Sequence, residues 1–361
     1  MTRDALMERV SALVGRLADG SRDDPARDAL LRDLLRWQCS NVDVYGRVVR
    51  GLSAHDEVDA LRFPAVPTDV FRVARVAAHA PALDIRTFRT SGTSAETRGS
   101  HHLRDLSLYD QGAQAGARLM LFPDVAHMPL VILAPSASEA PDSSLSYMLD
   151  RFATWFGAGE ALHVLRDGRL DAALLERTLR NAVHAGQPIA LLGTSFAFVH
   201  AGDSLGNSRF MLPSGSRIMQ TGGFKGRSRS VEPSEMLQTL SARYGVPEAF
   251  IVQEYGMTEL CSQLYETTLR DAALGHPLGP RRLWAPGWVR VSVVDPDSLM
   301  PVPDGETGLL RIDDLCNVDT ACAIQTSDRG QRVVDGVVVL GRATGATPRG
   351  CSLATDAALG G

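Results

Sequence analysis

The sequence predicts an α/β protein with a mixed, mostly parallel sheet flanked by helices, and three observations carry that expectation. Leu6, Val10, Leu13 and Leu17 recur at helical spacing near the amino terminus. In the middle of the chain, continuous apolar runs alternate with amphipathic stretches, as buried strands joined by helices do. Beyond about residue 286, short alternating segments are separated by Pro, Gly and Asp turns, and this part reads as a small β-rich subdomain. The expected division is 1–85 as a helical amino-terminal segment, 86–285 as an α/β core, 286–342 as the β-rich part and 343–361 as a tail carrying Cys351.

The elements follow in chain order. "ARDALLRDLLRWQ" repeats the helical pattern of the first residues. "FPAVPTDVF" is broken by prolines and marks the entry into different structure. "MPLVILAPS" is an apolar run ending in turn residues, and "QPIALLGTS" and "EAFIVQEYG" repeat it, so three buried strands are expected. Between the first two, "LDAALLERTLRNAVHAG" is a helix stopped by Gly186. "GWVRVSVVDPD", "TGLLRIDDL" and "QRVVDGVVVLGR" are short strands, the last folded into a hairpin at Asp335-Gly336.

Bulk properties narrow the function. The chain has 361 residues, 44% hydrophobic and 22% charged, which is a globular composition with room for a large core. A net charge of -5 argues against nucleic acid as the main partner. No run approaches the ~18 apolar residues of a membrane span, and the charged first residues do not form a signal peptide. Five scattered cysteines suit free thiols in a reducing, cytoplasmic compartment, and none has metal-motif spacing.

Five segments carry groups able to do chemistry. In "FRTSGTSAETRGSHH", Thr90, Ser91, Gly92, Thr93 and Ser94 offer hydroxyls and open backbone amides to phosphate oxygens, with Arg98 close by. The Gly-Lys spacing of the NTPase P-loop is absent, and the same residues also suit a solvated turn. In "IMQTGGFKGRSRS", Gly222 and Gly223 let a flat base approach the backbone, and Lys225, Arg227 and Arg229 attract anions; a basic surface loop is the alternative. In "FIVQEYGMTELCSQLY", a strand runs into Glu254, Tyr255, Gly256, Thr258 and Glu259, where open α/β sheets collect ligands. Tyr255 suits stacking and Glu259 suits magnesium, a hard cation, although Glu259 also fits the first turn of a helix. Asp328 in "QTSDRG" is a carboxylate able to accept two ribose hydroxyls, or else a turn residue. Ser195 in "LLGTSFAFVH" nearly completes a hydrolase elbow, with Ala197 in place of the final glycine. His101 and His102 are adjacent, so on a strand they face opposite sides and read as solvated or singly bonded.

The order of these segments, closing on Gly341-Arg342, resembles the acyl-adenylate-forming superfamily of acyl-CoA synthetases, luciferases and adenylation domains. "TGGFKGRSR", "EYGMTELCSQLY", "APSASEAPDSSLSYML" and "LGRATGATPRGCSL" are similar to the acyl-protein synthetases of bacterial bioluminescence, and the resemblance spans about residues 85 to 353. It implies the fold of that superfamily's amino-terminal domain. It further implies that the loop from Thr90 to Ser94 embraces the β- and γ-phosphates of ATP. Gly222, Gly223, Tyr255 and Gly256 would line the adenine pocket, Thr258 would touch the α-phosphate, and Glu259 would ligate Mg2+. Asp328 and Arg342 would hold the ribose, and Cys351 would carry the acyl group as a thioester.

Two departures stand out. Residues 343–361 follow Arg342 in place of the superfamily's usual carboxy-terminal domain, whose lysine has no counterpart here. Lys225, Arg227 and Arg98 are the candidates to replace it. Ser94-Ala95 also stands where the phosphate loop usually has a second Thr-Gly. The expected reaction is ATP-dependent activation of a fatty or aromatic acid, then acyl transfer through Cys351 to an acyl reductase partner. Coenzyme A as final thiol, a non-catalytic nucleotide-binding subunit, and a Ser195 hydrolase are the competing readings. Phe196 and Phe198 suit either class of acid.

Overall fold

The computed structural model describes residues 1–51, 63–90, 98–222 and 232–343. The described chain forms two units. One takes in residues 1–116, 257–264 and the described residues from 282 onward, and the other 117–256 and 265–281.

The second unit is built on a parallel sheet. Its strands run in the order Leu162–His163, Leu130–Leu133, Ala190–Thr194, Arg217–Thr221 and Ile251–Tyr255. The three apolar runs read from the sequence are all present, and Arg217–Thr221 joins them between the second and third. Leu130–Leu133 and Ala190–Thr194 are buried throughout, as strands covered on both faces must be. The helix Ala172–Ala185 starts on Asp171, whose carboxylate accepts from the Leu174 amide at 2.8 Å, and ends at Gly186 with φ +64°. Only glycine takes that left-handed conformation without penalty. Leu175, Leu179, Phe198, Leu240 and Tyr244 from the flanking helices pack on Val131, Leu191, Ile218 and Ile251 of the strands. Gly193 is needed for space: a Cβ there would lie 2.7 Å from that of Leu133 on the neighbouring strand.

The first unit holds an antiparallel meander of Val289–Val294, Thr307–Asp314, Ala323–Val333 and Gly336–Arg342, with Val66–Pro67 added in parallel. The last hairpin lies one residue from its expected position. Val333 pairs with Gly336, so Val334 and Asp335 form the turn, and Asp335 takes φ +59°. Asx residues tolerate that region. Gly336 stays in the ladder because a Cβ there would sit 2.5 Å from the Leu283 carbonyl oxygen.

The expected amino-terminal helices are Arg3–Arg16, Asp24–Asn41 and Asp43–Gly51. They brace the segment that follows strand Thr307–Asp314. Gln38 is fully buried; its amide donates to the carbonyls of Asn317 and Val318 at 2.7 and 3.0 Å and accepts from the Cys322 amide at 3.0 Å. Arg3 grips both oxygens of Asp319 at 2.5 and 2.6 Å. Among the described residues, no helix is long and apolar enough to cross a membrane.

Gln38 satisfies three backbone groups that have no route to water. Gln38→Ala is expected to cost roughly 2–4 kcal/mol, because each stranded group keeps its desolvation penalty. Urea unfolding of the variant beside the parent protein measures that loss.

Candidate active site

In the first unit, strands Arg86–Arg89 and Ser100–Leu103 form a hairpin whose connection is the hydroxyl-rich loop. Ser91, Gly92, Thr93 and Ser94 lie outside the described residues. Thr90 is described and is buried. Its amide donates to the Gly99 carbonyl at 2.9 Å, its hydroxyl accepts from the Gly99 amide at 2.7 Å, and its carbonyl accepts from Arg98 Nε at 2.5 Å. Thr90 and Arg98 therefore close the base of the loop.

The adjacent histidines face opposite sides of their strand, as expected, but His101 is neither solvated nor singly bonded. His101 is fully buried, and burial drives its pKa down to about 4. Its neutral ring uses both nitrogens. Nδ1 donates to the Thr258 carbonyl at 2.7 Å, because a carbonyl can only accept, and Nε2 then accepts from the Thr320 hydroxyl at 3.1 Å. His102 meets Asp84 at 2.9 Å. Two bonds from Arg75, at 2.8 and 2.6 Å, hold the Asp84 carboxyl at about 2.

Thr258 and Glu259 occupy a turn after strand Ile251–Tyr255, not a helix, which removes the reading of Glu259 as a helix-start acid. Asn317 Nδ2 donates to the Glu259 carbonyl at 2.8 Å. The Glu259 carboxyl is buried, and that burial pushes its pKa up to about 7; Arg342 pulls it down and Asp328 pushes it up. Asp328 and Arg342 are opposite one another on strands Ala323–Val333 and Gly336–Arg342, with Arg342 Nε 3.2 Å from Asp328 Oδ1. The unit thus brings Thr258, Glu259, Asp328 and Arg342 together on one framework.

Among the described residues, no group of three or more His, Cys, Asp or Glu is placed to hold a metal. Glu259 offers a hard oxygen donor whose charge is not compensated by a full ion pair among the described residues. That fits Mg2+, which takes one or two carboxylates and completes its shell with phosphate and water.

In the second unit, strands Ala190–Thr194, Arg217–Thr221 and Ile251–Tyr255 end side by side, with Thr194 opposite Thr221 and Thr221 opposite Glu254. Gly222 follows with φ +74°, a conformation suited to glycine. Tyr255 and Gly256 are half-buried. Gly223, Lys225, Arg227 and Cys351 lie outside the described residues. Ser195 donates to Gln220 Oε1 and to the Gly222 carbonyl, each at 3.1 Å. Its proton goes to oxygen acceptors rather than to a histidine base, which argues against the hydrolase reading.

Sequence reasoning missed Asn317 altogether, read His101 as solvated or singly bonded, and named Glu254 without giving it a role. Glu254 is buried, receives a short hydrogen bond from the Thr221 hydroxyl, and is pushed up to about 7 by burial. Only its place beside the Tyr255-Gly256 pair hinted at it.

Two outcomes are expected. His101→Ala strands the Thr258 carbonyl and lowers stability by about 1–3 kcal/mol, read by urea unfolding, and His101→Asn recovers part of it. Glu254 titrates at about 7 when folded, against a usual 4.5, so the folded state retains a proton that the unfolded chain has lost. Stability therefore falls as pH rises between those values and levels off above. Glu254→Gln, neutral throughout, gains relative to the parent by up to about 3 kcal/mol from pH 5 to pH 8, again by urea unfolding.

No curated protein sequence matches the chain. Among solved structures, an open conformation of 2-hydroxyisobutyryl-CoA ligase in complex with 2-HIB-AMP and CoA has a TM-score of 0.63 at 13% identity, covering 90% of this chain and 76% of that one. The same ligase in its thioesterification state gives 0.62 at 16% identity, covering 88% and 68%. At such identities the likeness shows the fold, which is that of the adenylate-forming ligases. The description "acyl-protein synthetase, LuxE" matches residues 35–360, and the chain belongs to that family.

Proposed function

We propose that the protein is an ATP-dependent ligase that activates a carboxylic acid as acyl-AMP and transfers the acyl group to a thiol. The observation that carries the proposal is the assembly of Thr258, Glu259, Asp328 and Arg342 within one unit of a family member. In the first step, a carboxylate oxygen of the acid bonds to the α-phosphorus of ATP, and the bond to the bridging oxygen breaks, releasing pyrophosphate. Thr258 and the loop from Thr90 to Ser94 position the phosphates, with Thr90 fixing the base of that loop. Asp328 accepts from the ribose hydroxyls, and Arg342 sets the direction of that carboxylate. Gly222, Gly223, Tyr255 and Gly256 receive the adenine. Glu259 would hold Mg2+, which would offset the phosphate charge. Such a step is driven by positioning and charge neutralisation. Lys225 is the proposed further cation for the transferring phosphate.

In the second step a thiolate attacks the acyl carbonyl and AMP leaves. The described cysteines are poorly suited to it. Burial drives the thiols of Cys261, Cys316 and Cys322 well above their usual range, and Cys39 is raised by the same cause. A thiol that stays protonated is a weak nucleophile. Cys351 is therefore the proposed acceptor, with Arg349 beside it in sequence and an acyl reductase as the onward partner. Coenzyme A is the alternative thiol, as in the ligase of like fold.

Acid-dependent exchange of labelled pyrophosphate into ATP tests the first step, and its absence over fatty, aromatic and amino acids would refute the proposal. Cys351→Ser is expected to keep the exchange and to abolish hydroxylamine-sensitive acyl label on the protein. Label that survives in the variant assigns the thioester elsewhere, and free acyl-CoA with no protein label favours coenzyme A.

A further inference from the structure

The pair of Asp328 and Arg342 sits where two irregularities of the antiparallel meander meet. On strand Ala323–Val333, Gln325 pairs with Arg311 and Arg329 with Leu309, so Leu310 alone faces residues 326–328. On the other side, Arg329 pairs with Gly341 and Gly330 with Val339, which leaves Leu340 without an opposite residue. Gly341 takes φ +107° there, a conformation that favours glycine. Had the register of Gly330 and Val339 simply continued, Asp328 would face Gly341, and Arg342 would fall opposite Ser327. Bulges of this kind re-aim side chains and recur beside active sites.

Side chains hold the bulged segment 326–328 where the ladder is interrupted. The Thr326 hydroxyl donates to the Leu310 carbonyl at 2.8 Å and accepts from the Asp328 amide at 3.1 Å. Gln325 Nε2 donates to the same Leu310 carbonyl and to the Thr326 carbonyl, each at 3.2 Å. Thr326 is 2% exposed, so water does not compete for its hydroxyl. Toward strand Gly336–Arg342, the Ala343 amide donates to the Ser327 carbonyl at 2.9 Å. By the alternation of antiparallel ladders, Asp328 and Arg342 then form the next, narrow pair, in which side chains stand closest. Their contact at 3.2 Å follows from that placement.

We infer that Thr326 is a positioning residue for the ribose of the nucleotide: its hydroxyl ties the Asp328 backbone to Leu310 and so fixes where the Asp328 carboxylate meets the ribose hydroxyls. This rests on the reading of Asp328 as the ribose ligand of an ATP-dependent ligase. Only a group that donates and accepts at once makes both bonds. Serine is such a group, and valine, of nearly the same shape as threonine, is not. Gln325 still donates to the Leu310 carbonyl in a valine variant, so that buried carbonyl is not stranded.

The test sets ATP against 2′,3′-dideoxy-ATP, which lacks both ribose hydroxyls. Affinity is read by calorimetry, KM by pyrophosphate exchange, and the Asp328 amide by hydrogen exchange in NMR without nucleotide. The parent protein is expected to prefer ATP by ~10²-fold, and Thr326→Val to shrink that preference at least ~tenfold. The same variant is expected to raise KM for ATP with kcat unchanged, since the ribose lies away from the reacting phosphorus, and to speed exchange of the Asp328 amide. Thr326→Ser is expected to restore all three. A variant that is merely less stable loses affinity for both nucleotides alike and leaves their ratio unmoved. Thr326→Ala, measured in the same way, takes the place of a valine variant that fails to fold. An unchanged preference or an unchanged Asp328 amide overturns the inference, as does a serine variant no better than valine. A parent protein that binds both nucleotides equally also overturns it, while acid-dependent pyrophosphate exchange in that protein keeps the ligase reading. A preference for ATP that Thr326→Val loses, with no acid supporting exchange, supports the positioning role and refutes the ligase reading alone.

Discussion

The hydrogen bonds of His101 hold the first unit's candidate site in one geometry. The ring belongs to the hairpin that presents the hydroxyl-rich loop, and one nitrogen anchors the turn of Thr258 and Glu259. The other engages Thr320, in the segment braced by Gln38 and Arg3. Because burial keeps the ring neutral, one nitrogen donates and the other accepts, and the two partners have the matching polarity. A charged ring would have two donors, and the Thr320 hydroxyl would then have to accept instead of donate. Asn317 reinforces the arrangement from the same braced segment, through the Glu259 carbonyl. The loop, the turn and the brace thus share a single proton placement.

Burial also tunes the two glutamates flanking the Tyr255-Gly256 pair, and both end near neutrality. Their surroundings differ. Glu259 feels Arg342 and Asp328, ionic neighbours suited to a site that handles charge. Glu254 has an uncharged partner, the Thr221 hydroxyl. Two carboxyls five residues apart are thereby set among different neighbours.

Much of the architecture was legible in the sequence because burial on both faces forces continuous apolar runs. The strands at Leu130, Ala190 and Ile251, and the glycine-stopped helix, announce themselves in this way. The pairing of Asp328 with Arg342 was foreshadowed only through resemblance, since fourteen residues and a hairpin separate them in the chain. The hairpin register slipped by one because Asp335 accepts the left-handed conformation itself, leaving Gly336 to solve a close approach. The roles of His101 and Glu254 were not legible, because they depend on burial and on partners distant in sequence. A hydroxyl read as a phosphate ligand, that of Thr90, also has a structural partner, Gly99, that composition does not reveal.

The threading of the chain through its two units has a consequence for synthesis. Most of the second unit lies in one stretch, 117–256, completed by 265–281. The first unit is assembled from both ends of the sequence, and its Arg3–Asp319 pair joins residues 316 positions apart. At ribosomal rates of ~5–20 residues per second, Arg3 emerges roughly 15–60 s before its partner exists. During that interval Arg3 and Gln38 lack the segment around Asn317 to Asp319 that they brace, while the parallel sheet can already close. The order of maturation is therefore written into the connectivity: the parallel sheet is finished first, and the framework holding Glu259, Asp328 and Arg342 last.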